Sequence, residues 1–362
     1  MGDDRSEKRP KRAGLVAVAR AVGVSPSTVS NAYNRPDQLS PALRERVLRT
    51  AADLGYAGPD PVARSLRRGR AGAVGVVFHD RLAYAFDDPA AVLFLQGLTE
   101  ATDETGLAVV LVPGPATKGA AVRNAAVDGL ILHGLLDDDP VLTATVERRL
   151  PTVVVDAPMI AGLDFVGIDD TAAAAAAAGH LLDLGHRRIG LLSFLHGSMR
   201  PETIGPPDLA TGGDTVARRR LEGCLRALAD RGLGWDDAPV AHCLHSNAET
   251  GRAAAHALLA HDPSITAVFA FSDPLALGAK AAATERGLAV PGDLSIVGFD
   301  DTAPPRELLT TVHQPQRDKG RLAAERLVRA LGADAPAPRR ELLPTRLVPR
   351  GSTSAPRIAP AA

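Results

Sequence analysis

From Ala73 onward the chain alternates short, wholly apolar runs with amphipathic stretches, and this alternation restricts the fold more than any other feature. AVGVVF (Ala73–Phe78), LAVVLV (Leu107–Val112), VDGLILHG (Val127–Gly134) and TVVVDA (Thr152–Ala157) have the continuous apolar character of strands buried on both faces. DPAAVLFLQGLTEATDETG reads as a helix between the first two strands, ended by Gly106. The pattern resumes with a helix over Thr171–Leu184 and a strand in RRIGLLSF. The helix VARRRLEGCLRALADRG, the strand TAVFAFSD, the helix PLALGAKAAATERG and the strand LSIVGFDD follow. Parallel strands need crossover helices, so the prediction is α/β with doubly wound parallel sheets. Two such halves, each of roughly a hundred residues or more, fit two lobes. Ligands of open α/β sheets gather beyond the carboxyl ends of the strands. Those ends carry His79 and Asp80, Asp156, Ser272 and Asp273, and Asp300 and Asp301, which predicts a polar cleft between the lobes.

The first seventy residues follow a different rule. LVAVARAVGVSPSTVSNAYN (Leu15–Asn34) reads as two short helices joined by a tight turn. Leu15, Val18, Ala19 and Val22 have helical apolar spacing, and Gly23 breaks the helix. Ser25 is a good N-cap, and Pro26 at the next position lacks only an N–H that a first turn does not use. The second helix, Ser27 to about Tyr33, is rich in small polar side chains, as suits a helix lying in a major groove. LSPALRERVLRTAADLGY (Leu39–Tyr56) reads as a third helix, capped by Ser40, with Leu43, Val47, Ala51 and Leu54 as its apolar stripe. DPVARSLRRGR (Asp60–Arg70) then offers a capped helical segment of about eight residues, below the ~12–15 that hold shape alone in water.

Charge separates the same two parts. Residues 1–70 hold 14 Lys and Arg against 7 Asp and Glu, leaving 27 against 35 for the rest. A basic module on an acidic body is the footprint of phosphate binding at one end. Cys224 and Cys243 have neither close pairing nor metal spacing, so no metal is expected and a reducing, cytoplasmic compartment fits. The start lacks an apolar secretory core, and the alanine run Ala172–Ala178 is too short to span a bilayer, so no membrane partner is expected. Residues 1–12 read as a disordered basic arm, and 354–362, rich in Ala and Pro, as a disordered tail.

Local phrases of the body are specific in their order and spacing. They are VDGLILHG, LPTVVVDAP, VGIDD, HLLDLGHRRIG, RRRLEG, FSDPLALGA, VPGDLSIVGFDD, ELLTTVHQP and LPTRLVPRGST. With the three-helix start and the short basic segment after it, they resemble the lactose-repressor (LacI/GalR) family from Leu15 to about Thr353. The resemblance implies a helix-turn-helix headpiece over 13–58, a hinge helix over 59–70, and a two-lobed effector and dimerisation domain over 71–353. Its N-lobe spans about 71–170 plus a late crossover, and its C-lobe about 171–300 plus return segments. It implies a homodimeric transcriptional regulator, most simply a repressor. Its partners are pseudopalindromic operator DNA and a small effector, commonly a sugar; a nucleoside is the alternative. The expected location is the nucleoid.

By the same resemblance Pro26, Ser27 and Asn31 read bases, Asn31 being suited to a bidentate contact with adenine. Ser25, Thr28, Ser30, Asn34, Ser40, Arg64 and Arg67 meet phosphates, and Leu66 wedges into the minor groove. In the cleft, His79, Asp156, Arg220, Ser246, Ser272, Asp273 and Asp300 are the expected effector contacts, with Arg220 and Asp300 foremost. Phe86, Phe165, Phe271 and Trp235 are the rings available for stacking, although each suits a core equally well. The chain departs from the family at Gly14, a weak cap, at Pro26, which cannot donate, and in a linker one residue longer than usual.

Two other classes fit less well. A transported-solute receptor of the same fold would carry an export signal and no headpiece. A nucleotide-dependent α/β enzyme would carry a glycine-rich turn after the first strand, and VGVVFHDRLAYAF has none. His180 and His186, in a helix and its exit turn, read as surface or capping residues, and no catalytic role and no cofactor are expected.

Overall fold

The computed structural model describes residues 14–58, 69–79, 81–114, 117–194, 204–207, 209, 213, 215–302, 304, 308–333 and 336–357. The chain divides into two compact units, Met1–Ala71 and Gly72–Ala362.

The first unit holds α1 (Leu15–Val22), α2 (Pro26–Asn34) and α3 (Pro41–Asp53), with a 3-10 turn over Pro36–Gln38. Val18, Ala19, Val29, Ala32, Val47 and Ala51 form its core, two residues from each helix. Gly23 adopts the left-handed conformation (φ 76°) that ends α1, and Gly14 gives that helix no side-chain cap. Ser25 and Ser40 accept from the backbone N–H of Thr28 and Leu43 at 3.1 and 3.3 Å, satisfying donors the first helical turns leave open. The second helix therefore begins at Pro26, one residue before the predicted start.

The second unit contains two lobes. In the N-lobe, β1 (Ala73–Phe78), β2 (Ala108–Val112), β3 (Gly129–His133), β4 (Thr152–Val155), β5 (Asp164–Ile168) and β12 (Arg340–Leu343) form one parallel sheet in the order β12-β5-β4-β3-β1-β2. Helices Pro89–Asp103 and Gln316–Ala330 cover one face. They pack closely because a Cβ at Gly97 would lie 1.8 Å from the Arg317 carbonyl oxygen, and one at Gly320 would lie 1.9 Å from that of Phe94. In the C-lobe, β6 (Ile189–Phe194), β7 (Ile204–Gly205), β8 (Val240–Cys243), β9 (Ala267–Ala270) and β10 (Ser295–Val297) run in the order β10-β9-β6-β8-β7. Only β7 is antiparallel to its neighbour among these described strands. Helices Asp170–Asp183 and Val216–Ala229 cover one face, and Ala248–His261 and Asp273–Glu285 the other. The antiparallel pair β11 (Thr311–His313) and β13 (Arg346–Val348) accompanies the return crossings between lobes.

Three expectations need correction. Ser354–Arg357 belong to the C-lobe, not to a disordered tail. The Ser354 amide donates to Ser295 Oγ at 3.0 Å, and Arg357 pairs with Asp293. His186, which the sequence suggests is a surface or capping residue, is buried beneath that segment, with its ring nitrogens 2.8 Å from Thr266 Oγ1 and 2.9 Å from the Ser354 carbonyl oxygen. The strand read over Leu294–Asp301 pairs with β9 only as far as Val297; beyond it Gly298 and Asp300 donate to the Thr310 and Val312 carbonyls at 2.9 and 2.8 Å, and the backbone turns left-handed at Asp300 (φ 105°) and Asp301 (φ 59°).

Candidate functional site

On α2, Val29 and Ala32 face the core, while Pro26, Ser27 and Asn34 are exposed and Asn31 is half-buried. Ser27, Asn31 and Asn34 follow helical spacing and share one face. The polar groups are held locally. Ser25 Oγ lies 2.6 Å from Ser27 Oγ and 2.8 Å from Thr28 Oγ1. Asn34 donates to Ser30 Oγ and to the Ser30 carbonyl, and Asn31 Nδ2 donates to Gln38 Oε1 at 3.2 Å. Such contacts are local and exposed, so these amides and hydroxyls can exchange partners without disturbing the helix. Arg64, Leu66 and Arg67 lie outside the described residues, as does Asp80.

In the second unit, the carboxyl ends of strands from both lobes lead into a cluster of buried charge, the place where the predicted cleft would lie. Arg220, on helix Val216–Ala229, is 4% exposed, and its guanidinium lies 3.6 Å from the centroid of the Phe299 ring. Nε donates to Asp170 Oδ1 at 3.0 Å and Nη1 to the Phe271 carbonyl. Among the described residues Nη2 has no hydrogen-bond partner. Arg219 braces the other side, 3.5 Å from Asp170 Oδ2 and donating to the Asp156 carbonyl at 2.8 Å.

Asp156 follows β4 and Asp300 follows β10, both in left-handed backbone (φ 65° and 105°) that a non-glycine residue rarely adopts. A single chain of contacts links them. Lys319, fully buried on helix Gln316–Ala330, donates to Asp156 Oδ1 at 2.6 Å and to Gln314 Oε1 at 2.5 Å, and Gln314 Nε2 donates to Asp300 Oδ1. The second oxygen of Asp300 has no hydrogen-bond partner among the described residues. Burial pushes the Asp300 carboxyl well above the usual range; Asp273 and Asp88 add to the shift, while Arg220 and Gln314 oppose it. Burial also acts on Asp156, but Lys319 and His133 outweigh it and hold that carboxyl below the usual range.

His133, at the end of β3, packs against Phe78 and Phe94, with ring centroids at 5.1 and 4.6 Å, and its Nε2 stands 3.8 Å from Asp156 Oδ2. Burial lowers its pKa to about 4, so it is neutral near pH 7. Asp88 caps helix Pro89–Asp103 through Ala90 N–H at 3.1 Å, and burial raises its carboxyl to about 6. Tyr84 faces Asp88 and Ser246.

The remaining expected residues fare differently. Ser246 is half-buried and donates to Ser272 Oγ at 2.6 Å. Ser272 is 1% exposed, and its hydroxyl caps helix Asp273–Glu285, so it supports the cleft wall without presenting itself. Asp273 is fully buried, accepting from Thr311 Oγ1 and Thr302 N–H, both at 2.6 Å. It ties β11 to the C-lobe, with both carboxylate oxygens engaged. His79 is exposed at the end of β1, where its backbone N–H donates to the His133 carbonyl at 3.2 Å. Of the candidate rings, Phe271 and Phe165 are core, Phe86 is 63% exposed, and Trp235 borders the core of the first helical face of the C-lobe. The ring beneath the guanidinium is Phe299, which sequence reasoning missed along with Tyr84, Asp88, His133, Gln314 and Lys319. No described group of three or more His, Cys, Asp or Glu gathers as metal ligands, and no described helix is long and apolar enough to cross a membrane.

The comparisons agree with this division. Residues 15–58 match the bacterial regulatory proteins of the lacI family, and residues 178–353 a periplasmic binding protein-like domain. A helix-turn-helix-type transcriptional regulator of Mycobacterium tuberculosis is 42% identical over 356 residues, 96% of this chain and 98% of its own length. The chain belongs to the LacI family of bacterial regulatory proteins. Among solved structures, the LacI-family chain resembles the lac repressor dimer bound to operator and an anti-inducer, with a TM-score of 0.74 and 28% identity over 95% of this chain and all of that one. It also resembles the regulator CelR in complex with cellobiose, with a TM-score of 0.67 and 30% identity over 94% of this chain and all of that one. A LacI-family chain of this build is a DNA-binding transcriptional regulator, and its relatives are regulators, not enzymes.

Proposed function

We propose that the protein is a homodimeric repressor whose hold on a pseudopalindromic operator is set by a sugar or sugar derivative bound in the cleft. The observation that carries the effector reading is an open nitrogen on Arg220 together with an open oxygen on Asp300, whose carboxyl feels the Arg220 charge. One guanidinium nitrogen and one carboxylate oxygen are open, while every other arm is fixed by Asp170, Phe271 and Gln314. A fixed donor beside a fixed oxygen suits adjacent hydroxyls. The relative crystallised with cellobiose supports the same class. A nucleoside is less favoured, because Arg220 already covers the Phe299 face on which a base would stack.

On DNA, Pro26, Ser27 and Asn31 address bases, with Pro26 limited to apolar contact. Ser25, Thr28, Ser30, Asn34 and Ser40 position the helix on phosphates. Arg64 and Arg67 meet phosphates beside the operator centre, and Leu66 enters the minor groove there. The segment 59–70 is too short to be helical alone, so it folds only when two copies meet on DNA. The effector binds one lobe arrangement better than the other and so shifts whether that folding occurs. The regulator acts in the cytoplasm, on the nucleoid.

A fluorescence-anisotropy titration with selected palindromic DNA, run with and without a saccharide panel, tests the reading. Specific binding released by one sugar is the expected result. No preference for any palindrome over random duplex overturns it. Leu66→Ala should weaken specific binding far more than non-specific binding; equal losses would remove the wedge.

A further inference from the structure

We propose that Lys319 is a positioning residue of effector recognition, fixing through Gln314 which oxygen of Asp300 faces the ligand and whether it donates or accepts. The inference rests on the reading of Asp300 as an effector contact. Its basis is the directionality of hydrogen bonds. An ammonium can only donate. Lys319 Nζ lies 2.5 Å from Gln314 Oε1, so the amide must turn its oxygen to Lys319 and its nitrogen to Asp300. Asp300 Oδ1 is then always an acceptor from Gln314, and any proton Asp300 carries must reside on the other oxygen.

Lys319 is itself held without freedom. It is fully buried, its charge is balanced by Asp156 at 2.6 Å, and its helix is seated by the Gly97 and Gly320 contact. Remove the ammonium and the amide can flip. Its oxygen would then face Oδ1 of Asp300, an arrangement stable only with a proton on that oxygen. Asp300 would hold its proton more tightly and turn it away from the ligand. The charged and titratable groups facing Asp300 are Arg220, Asp273, Asp88 and Tyr84, and none of them contacts Gln314 in the bonds described.

The test reads the protonation of Asp300 directly, in the full-length chain without effector. Aspartate carboxyl carbons are labelled with 13C, Asp300 is assigned by its loss in Asp300→Asn, and its signal is followed from pH 4 to 10. Four chains are compared, with Lys319→Met always made together with Asp156→Asn so that neither a buried ammonium nor a buried carboxylate is left without its partner. They are the parent, the Lys319→Met and Asp156→Asn pair, Gln314→Leu, and all three changes together. The expected result is that Lys319→Met raises the Asp300 midpoint by about one pH unit, a tenfold change in proton affinity, when Gln314 is present. With Leu at position 314 the same change should move it by less than a third as much. Equal shifts in both backgrounds would reduce Lys319 to a distant charge and overturn the proposal. So would an Asp300 signal that never changes across the range. A relay that holds while no saccharide binds the wild type would sink the sugar reading alone. Sugar binding that Asp300→Asn abolishes, beside an additive cycle, would sink the relay alone.

Discussion

The reading helix and the cleft both present polar side chains, but they hold them in opposite ways. On α2, partners lie close in sequence: Ser25 with Thr28, Asn34 with Ser30, Asn31 with Gln38. In the cleft, partners lie far apart, as with Asp156 and Lys319, separated by 163 positions, or Arg220 and Asp170, separated by 50. Exposed, locally satisfied groups can change partners without disturbing the fold. Buried groups paired across the chain cannot, because each removal leaves a charge stranded at low dielectric. One region is therefore built to be retuned by single substitutions, and the other to respond as a unit.

The largest effect that would break this contrast is at Arg220. Arg220→Ala should cost about 3–5 kcal/mol in the urea stability of the second unit, because Asp170 stays buried without its partner, and it should abolish the sugar response. Arg220→Met with Asp170→Asn should restore most of the stability but none of the response. A stability unchanged by Arg220→Ala would place the cleft among the locally satisfied sites.

Acid titration sharpens the same point. Asp88 titrates at about 6 in the folded chain against an ordinary 3.8, so folding takes up a proton between those values. This group therefore makes the fold less stable as pH rises through that window, by up to about 3 kcal/mol. His133 titrates at about 4 against an ordinary 6.5. Its contribution is complete above 6.5 and is lost as pH falls toward 4, again by up to about 3 kcal/mol. The two slopes oppose one another in the native protein. Asp88→Asn keeps the helix cap and removes one slope, so urea midpoints should fall steadily from pH 6.5 to 4.5 in the variant and stay nearly level in the parent. Parallel profiles would show that burial at Asp88 does not hold the proton.

On the other side, Asn31→Ala should leave headpiece stability almost unchanged yet lower operator affinity by about 1–3 kcal/mol for each half-site, with relaxed preference at one base position. An equal loss on random DNA would make Asn31 a phosphate contact. The smallest effect is at Ser25: Ser25→Ala should cost about 1 kcal/mol of headpiece stability through the lost cap, read by thermal unfolding.

The contrast also explains what was legible in the sequence. The headpiece could be read nearly residue by residue, since caps at Ser25 and Ser40, the stop at Gly23 and the apolar spacing are local signals. The parallel sheets were legible from apolar runs, and Asp156 and Asp300 from strand ends. Arg220 came only from the family phrase RRRLEG. Lys319, Gln314, His133 and Asp88 were not legible, because their roles depend on partners brought together by the crossings. One signal was available for Lys319. It lies on the buried stripe with Gln316, Gly320, Ala323 and Leu327, where a lysine has no reason to be unless something pairs with it. Ser272 and Asp273 show the reverse case. A strand end places them correctly, but helix capping and the tie to Thr311 consume them.

The left-handed backbone at Asp156 and Asp300 bears on how such sensors diversify. Aspartate, asparagine and glycine are the residues that accept this conformation most readily. Asp300, held by the neutral Gln314 amide, can thus exchange an acid for an amide, or for bare space, without stranding a partner's charge, whereas Asp156 is tied to the Lys319 ammonium. Descendants of this chain could drift toward new metabolites by single-codon steps at the first site, while the second keeps unchanged the scaffold that reports occupancy to the DNA.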